Sequence, residues 1–185
     1  MPVLHLLAGP NGSGKTTFYD HLLFPATRLP FINADLIAKR QWPGDEEAHG
    51  YEASAHADRA RNAAIAKGTS FVAETVFSHP SKLELIAHAR AAGYIVVLHV
   101  MVVPEELTVV RARLRADQGG HTVPEEKVRE RFRRLWGLVA RAIAVADESF
   151  VYDNSTAKKP FGLVAHYENG ILLGQSHFPK WSPLK

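Results

Sequence analysis

With 185 residues, 46% of them hydrophobic and 22% charged, the chain has the length and composition of one soluble domain able to bury a core. Its 22 basic and 19 acidic residues leave a formal charge of +3, too even to argue by itself for a nucleic-acid partner. It has no cysteine, hence no disulfide or thiolate metal site, and no apolar run nears the roughly 18 residues of a membrane span, so a cytoplasmic protein is expected.

The first element, "VLHLLA" from Val3 to Ala8, is β-rich, and glycine interrupts it too soon for a secretion signal. It leads into "GPNGSGKT", Gly9 to Thr16, which fits G-x-x-x-x-G-K-[ST]. Glycines there let backbone N–H groups converge on phosphate oxygens without side-chain clashes. Gly9, Pro10, Asn11, Gly12, Ser13, Gly14, Lys15, Thr16 and Thr17 are therefore expected to hold a nucleotide, ATP or GTP. Lys15 would reach the β- and γ-phosphates, and the Thr16 hydroxyl would ligate Mg2+. The next helix, predicted to end near Phe24 before Pro25, aims its positive end at the same anions.

"PFIN" predicts a second strand, short, with Asn33 and Asp35 at its exit. A long helix follows, with Pro43 and Asp45 at its head and Gly68 at its tail. "SFVAE" is a third strand, ending at Glu74 and Thr75, and "PSKLELIAHARAAG" a helix that closes on Gly93. A fourth strand starts at Tyr94, and helices opened by Pro104 and Pro124 flank "ADQGGHTV". "SFVYDNS" from Ser149 is the fifth strand, and Asn169-Gly170 marks a type I′ hairpin at about 161–176. Strand–helix alternation predicts a single α/β domain over residues 1–185. Its form is a five-stranded parallel sheet opened by the P-loop, with helices on both faces and an appended C-terminal hairpin.

A P-loop alone does not separate switches, motors, transporters and kinases. Neither the second nor the third strand is the hydrophobic run ending in Asp that a Walker-B site wants, which argues against motors and transporters. A small-molecule kinase needs a carboxylate for the acceptor hydroxyl and cations for the transferring phosphoryl group, placed beyond the carboxyl ends of the strands. Asp35 fits the base, or else the N-cap of "LIAKR"; Asn33 could hold a neighbouring polar group. Glu74 could bind an acceptor hydroxyl or hold Mg2+ through water, or simply be a solvated carboxylate.

Helical spacing puts Leu107, Val110 and Leu114 on the apolar face of one late helix, with Arg111 and Arg115 on its flank. In the other the face is Val128, Phe132, Leu135, Val139 and Ile143, flanked by Arg129 and Arg131. The glycine-containing link, with His121, would close as a lid over about 115–131. The plainer alternative is a solvated basic surface with ion pairs such as Glu125 to Arg129. None of the ten histidines has metal-ligand spacing, so they are read as structural.

"AGPNGSGKTT", "FINAD", "ETVFS", "GYIVVLHVMV", "GGHTVPEEKVRERF" and "VYDNS" follow in an order that resembles the zeta-toxin family of P-loop kinases, most closely its short bacterial branch. The resemblance covers roughly residues 3–155 and implies a P-loop NTPase fold similar to that of nucleotide and small-molecule kinases, and transfer of phosphate from ATP or GTP, with Mg2+, to a sugar hydroxyl of UDP-N-acetylglucosamine. It implies that Lys15 and Thr16 contact nucleotide and metal, and that Asp35 is the base. Glu74 and Thr75 would then be substrate-side residues, and Arg111, Arg115 and Arg131 lid cations, with His121 in one such position. An antitoxin partner is a further implication. Beside that resemblance, the residues leave open a nucleotide-dependent switch or ATPase without an acceptor, and a nucleic-acid kinase.

Overall fold

A computed structural model of the protein describes residues 1–117 and 123–184, except for the side chains of Arg115 and Asp117. Five strands lie parallel: β1 (Val3–Ala8), β2 (Phe31–Ile32), β3 (Phe71–Thr75), β4 (Ile95–Val102) and β5 (Glu148–Asp153), in the spatial order β2-β3-β1-β4-β5. The hairpin strands β6 (Gly162–Glu168) and β7 (Ile171–Leu172) follow beyond β5, each antiparallel to its neighbour. The result is a mixed sheet of seven strands, and the hairpin extends it rather than hanging from it. Its turn has Asn169 and Gly170 at φ 49° and 78°, the left-handed pair that a type I′ turn requires.

Side chains alternate across β1. Leu4, Leu6 and Ala8 face a core shared with Ile65 of α4 (Gly50–Ala66), Ile86 of α5 (Ser81–Ala91) and the buried face of α7 (Glu125–Val145). Leu7 points the other way, onto Phe18, Tyr19 and Leu23. Those residues belong to α1 (Lys15–Phe18) and the π-helical turn at Tyr19–Leu23, which continues into α2 (Phe24–Thr27). The helix thus runs through Pro25 instead of stopping before it. The Phe24 N–H reaches back five residues to the Tyr19 carbonyl, widening the turn where the proline ring would otherwise meet the backbone.

Two other sequence expectations are corrected. α4 begins at Gly50, after the separate short helix α3 (Ala34–Gln41), because Gly44 at φ 88° and a hydrogen bond from Asp45 N–H to the Trp42 carbonyl turn the chain first. α7 buries its predicted face, but α6 (Glu105–Asp117) does not: Val110 and Leu114 are 48% and 54% exposed, while Thr108, Val109 and Ala112 are buried. The reason is backbone proximity. α6 rests directly on Gly12, so that a Cβ there would lie 2.9 Å from the Arg111 Cβ and 3.5 Å from the Thr108 carbonyl. Small residues win that face because large ones would hold the helix off.

Among the described residues no helix is long and apolar enough to cross a membrane. Beneath α1, the His99 ring is buried between Phe18 and Phe150, with its Nε2 3.0 Å from His5 Nδ1 and its Nδ1 3.4 Å from the Tyr152 hydroxyl. Burial, reinforced by His5, pushes the His99 pKa down from 6.5 to about 3, so it is neutral in the fold and would charge on unfolding at mildly acid pH. Its contribution to stability is complete above pH 6.5 and is lost as pH falls toward 3. Between pH 6.5 and 4.5 that is up to about 3 kcal/mol. Denaturant midpoints of His99→Phe should therefore fall less than those of the wild type over this interval.

Candidate functional site

The loop between β1 and α1 is shaped by three glycines at positive φ: Gly9 at 149°, Gly12 at 72° and Gly14 at 92°. A side chain at any of them would collide with structure. Added Cβ atoms would lie 2.7 Å from the Met101 carbonyl at Gly9 and 2.4 Å from Asn154 Nδ2 at Gly14. The loop also buries Asn11 Oδ1 and Ser13 Oγ with no hydrogen-bond partner among the described residues, polar atoms that a bound anionic ligand and its water could satisfy.

Lys15 opens α1 and is buried. Its Nζ donates to the Gly9 and Pro10 carbonyls at 3.0 and 2.9 Å and pairs with Glu74 at 3.6 Å. A buried ammonium needs such oxygens, and phosphate oxygens would serve it equally. Glu74 is the hub of the site. Its Oε2 accepts from the Thr16 hydroxyl at 3.1 Å and from Asn33 Nδ2 at 2.6 Å. The parallel register places Glu74 opposite Leu7, one residue before the end of β1, and so brings the third strand's exit to the mouth of the loop.

Asn33 rather than Asp35 caps α3: its Oδ1 accepts from Leu36 N–H at 3.0 Å. Asp35 lies in the first turn, exposed, its carboxylate without a hydrogen bond to any described residue. Thr75 is occupied locally, its hydroxyl accepting from the Phe77 N–H at 3.0 Å, and Thr17 is exposed beside Thr16. Lys15, Thr16, Asn33 and Glu74 are thus gathered into one bonded group, and Asp35 is two residues along the chain from Asn33 without joining it.

The arginines divide by their partners. Arg129 is held by Glu106 at 2.6 Å and also by Glu105 and Glu125, which ties the start of α6 to the start of α7; the pair with Glu125 is the one read from sequence. Arg133 pairs with Glu105 and Arg134 with Glu130. The Arg131 side chain makes no ion pair or hydrogen bond with the described residues. Arg111 faces the loop and donates to the carbonyls of Gly12 and Asn154 at 3.2 and 3.0 Å. His121 and the Arg115 side chain lie outside the described residues, and with them the centre of the expected lid.

One residue escaped the sequence reading. Asn154, at the exit of β5, is buried and donates from Nδ2 to the Ser13 carbonyl at 2.8 Å. Its strand-end position was the available signal, the same that singled out Asp35 and Glu74 on β2 and β3.

The site has oxygen donors at Thr16 and Glu74, and among the described residues no group of three or more histidines and carboxylates that could hold a metal ion by themselves. That set fits Mg2+, which protein ordinarily holds by one or two oxygens while substrate phosphates supply the rest. Bound there through Thr16, with Glu74 beside it, Mg2+ would neutralise charge on the phosphates.

A family model described as AAA domain (AAA_33) matches residues 4–137. No protein of curated function matches the chain. Among solved structures, a chain of the AvrRxo1-ORF1–AvrRxo1-ORF2 complex with ATP is similar over 94% of this protein, at 19% identity and a TM-score of 0.69. This protein spans 60% of that chain's length. The PezAT toxin–antitoxin system of Streptococcus pneumoniae contributes a second match, with 14% identity, a TM-score of 0.66, and 90% of this chain against 72% of that one. Shikimate kinase from Acinetobacter baumannii with shikimate gives 19% identity and a TM-score of 0.53, over 76% of this chain and 80% of the other. Identities this low show a shared fold.

Proposed function

This chain belongs to the AAA domain family, and from that membership and its loop we propose that it is a P-loop kinase, moving the γ-phosphate of ATP or GTP to a hydroxyl of a small molecule. The observation that carries the reading is Glu74, bonded at once to Lys15 and Thr16 on the phosphate side and to Asn33 on the acceptor side. A switch or simple ATPase has no need of that bridge to a second site.

In this reading the loop N–H groups and Lys15 hold the phosphates, and Thr16 is the metal-binding residue. Asp35 accepts the acceptor's proton as its oxygen attacks. Asn33 and Glu74 orient the acceptor, with Thr75 beside them. Arg115 and Arg131, together with His121, close over the γ-phosphoryl group and exclude water, while Arg111, assigned to the same lid by the resemblance, stays bonded to the Gly12 and Asn154 carbonyls beside the loop. The acceptor suggested by the resemblance is UDP-N-acetylglucosamine, the setting the cytoplasm, and the whole chain one kinase domain. An antitoxin-like partner is also part of the proposal: the AvrRxo1 and PezAT structures are described as a complex and a toxin–antitoxin system.

Mass spectrometry of protein incubated with Mg-ATP and UDP-N-acetylglucosamine tests the specific acceptor. A phosphorylated nucleotide-sugar, absent with Lys15→Ala, is expected; an unchanged sugar would exclude this acceptor. Glu74→Gln keeps the shape of the hub but removes the charge opposite Lys15. A charge-assisted bond is worth about 1.5–3 kcal/mol, so initial transfer rates should fall roughly 10- to 100-fold.

A further inference from the structure

The loop's peptide groups are held from outside by two side chains. Asn154 is 8% exposed; beyond its bond to the Ser13 carbonyl, its Oδ1 accepts from Phe161 N–H at 3.4 Å, and its own N–H is fixed to the Val102 carbonyl at 3.0 Å. Arg111 reaches from α6 to the carbonyls of both Gly12 and Asn154.

In a trans peptide, a carbonyl and the N–H of the next residue point in opposite directions. Holding the Gly12 carbonyl against Arg111 therefore turns the Ser13 N–H the other way, where it meets the Pro10 carbonyl at 3.2 Å. Holding the Ser13 carbonyl against Asn154 turns the Gly14 N–H away from Asn154, and no carbonyl among the described residues accepts it. The fit is close on the outer side as well. The Asn154 amide fills the space a side chain at Gly14 would need, since a Cβ there would lie 2.4 Å from Nδ2.

We propose that Asn154 is a positioning residue for nucleotide phosphates: by gripping the Ser13 carbonyl, it aims the Gly14 N–H at the bound anion, with Arg111 bracing the neighbouring peptide. The inference rests on the kinase reading above, and specifically on the loop taking phosphate. It also explains the residue type. The position must donate to one carbonyl and accept from one N–H, which an amide does and a carboxylate or aliphatic side chain does not.

Two variants of the full chain separate the possibilities. Asn154→Asp keeps shape and acceptor but loses the donor; Asn154→Ala loses both without adding charge. Titration calorimetry with Mg-ATP should show the Kd raised at least about tenfold in both. In 15N–1H spectra at saturating Mg-ATP, the downfield shift of the Gly14 amide should shrink by half or more. The Lys15 and Thr16 amides should still shift, which a merely structural loss would not spare. A wild-type Kd and Gly14 shift in Asn154→Ala would overturn the proposal, as would a loss confined to Asn154→Asp, which added negative charge alone explains. Loss at all three amides together would overturn it too, by making the role structural. Failure of the wild-type protein itself to bind Mg-ATP would instead sink the phosphate reading, and this inference with it.

Discussion

Replacing Asp35 with asparagine should lower kcat for phosphotransfer by about 10²–10⁴, the usual contribution of a positioned general base. Mg-ATP affinity should remain that of the wild type, because Asp35 takes no part in the loop's bonds. Its setting makes this variant clean. Asp35 is exposed in the first turn of α3, with the capping duty already filled by Asn33. The positive end of that helix favours the carboxylate by about 0.3–1 kcal/mol, so the structural cost of removing it is of that order. A large kinetic loss with a small shift in melting would therefore report on chemistry. Stopped-flow or quench-flow rates on Asp35→Asn, beside calorimetric Mg-ATP binding, separate the two quantities. Equal losses in kcat and in nucleotide affinity would remove Asp35 from the role of base.

Lys15→Ala should lower transfer by about 10²–10³ or more, the scale of removing one preorganised donor from a developing charge. Here nucleotide affinity should fall as well, because Lys15 is buried at the floor of the loop and bonded to the Gly9 and Pro10 carbonyls. The same bonds predict a structural effect. Without the ammonium, the half-buried Glu74 keeps its bonds to Thr16 and Asn33 but loses its only ion-pair partner among the described residues. Stability should therefore fall by roughly 1–3 kcal/mol, read as a lower denaturant midpoint. Adding Glu74→Gln to Lys15→Ala should recover part of that stability while recovering no activity, since the unpaired charge is gone but the phosphate contact is not restored.

Much of the fold was legible in the chain, because parallel β/α alternation follows from hydrophobic runs punctuated by caps. The glycines of the loop, with Lys15 and Thr16, were marked by a spacing that suits backbone N–H groups converging on an anion. Glu74 and Asn33, which the fold bonds to each other, could be picked out by their place at strand exits. What stayed hidden depends on contacts between distant segments. α6 presents Thr108 and Ala112 inward because its backbone sits against Gly12, a proximity that no periodicity of Leu107, Val110 and Leu114 can express. Asn154 grips a carbonyl 141 positions earlier in the chain, and only the strand order makes them neighbours. Pro25 looked like a stop because a π-helical turn, which tolerates it, carries no strong local signal. The arginines of α7 share one composition, and three-dimensional pairing alone separates the clamped Arg129 from Arg131.

The measurement closest to the central claim follows the γ-phosphate itself. The protein is incubated with Mg-ATP labelled at that position and a small-molecule metabolite extract, and the label is resolved by chromatography. Label appearing in an organic product, dependent on the extract and lost with Asp35→Asn, is the predicted result. Label released only as inorganic phosphate, at a rate indifferent to the extract and to Asp35, would contradict it and leave a nucleotide hydrolase in its place.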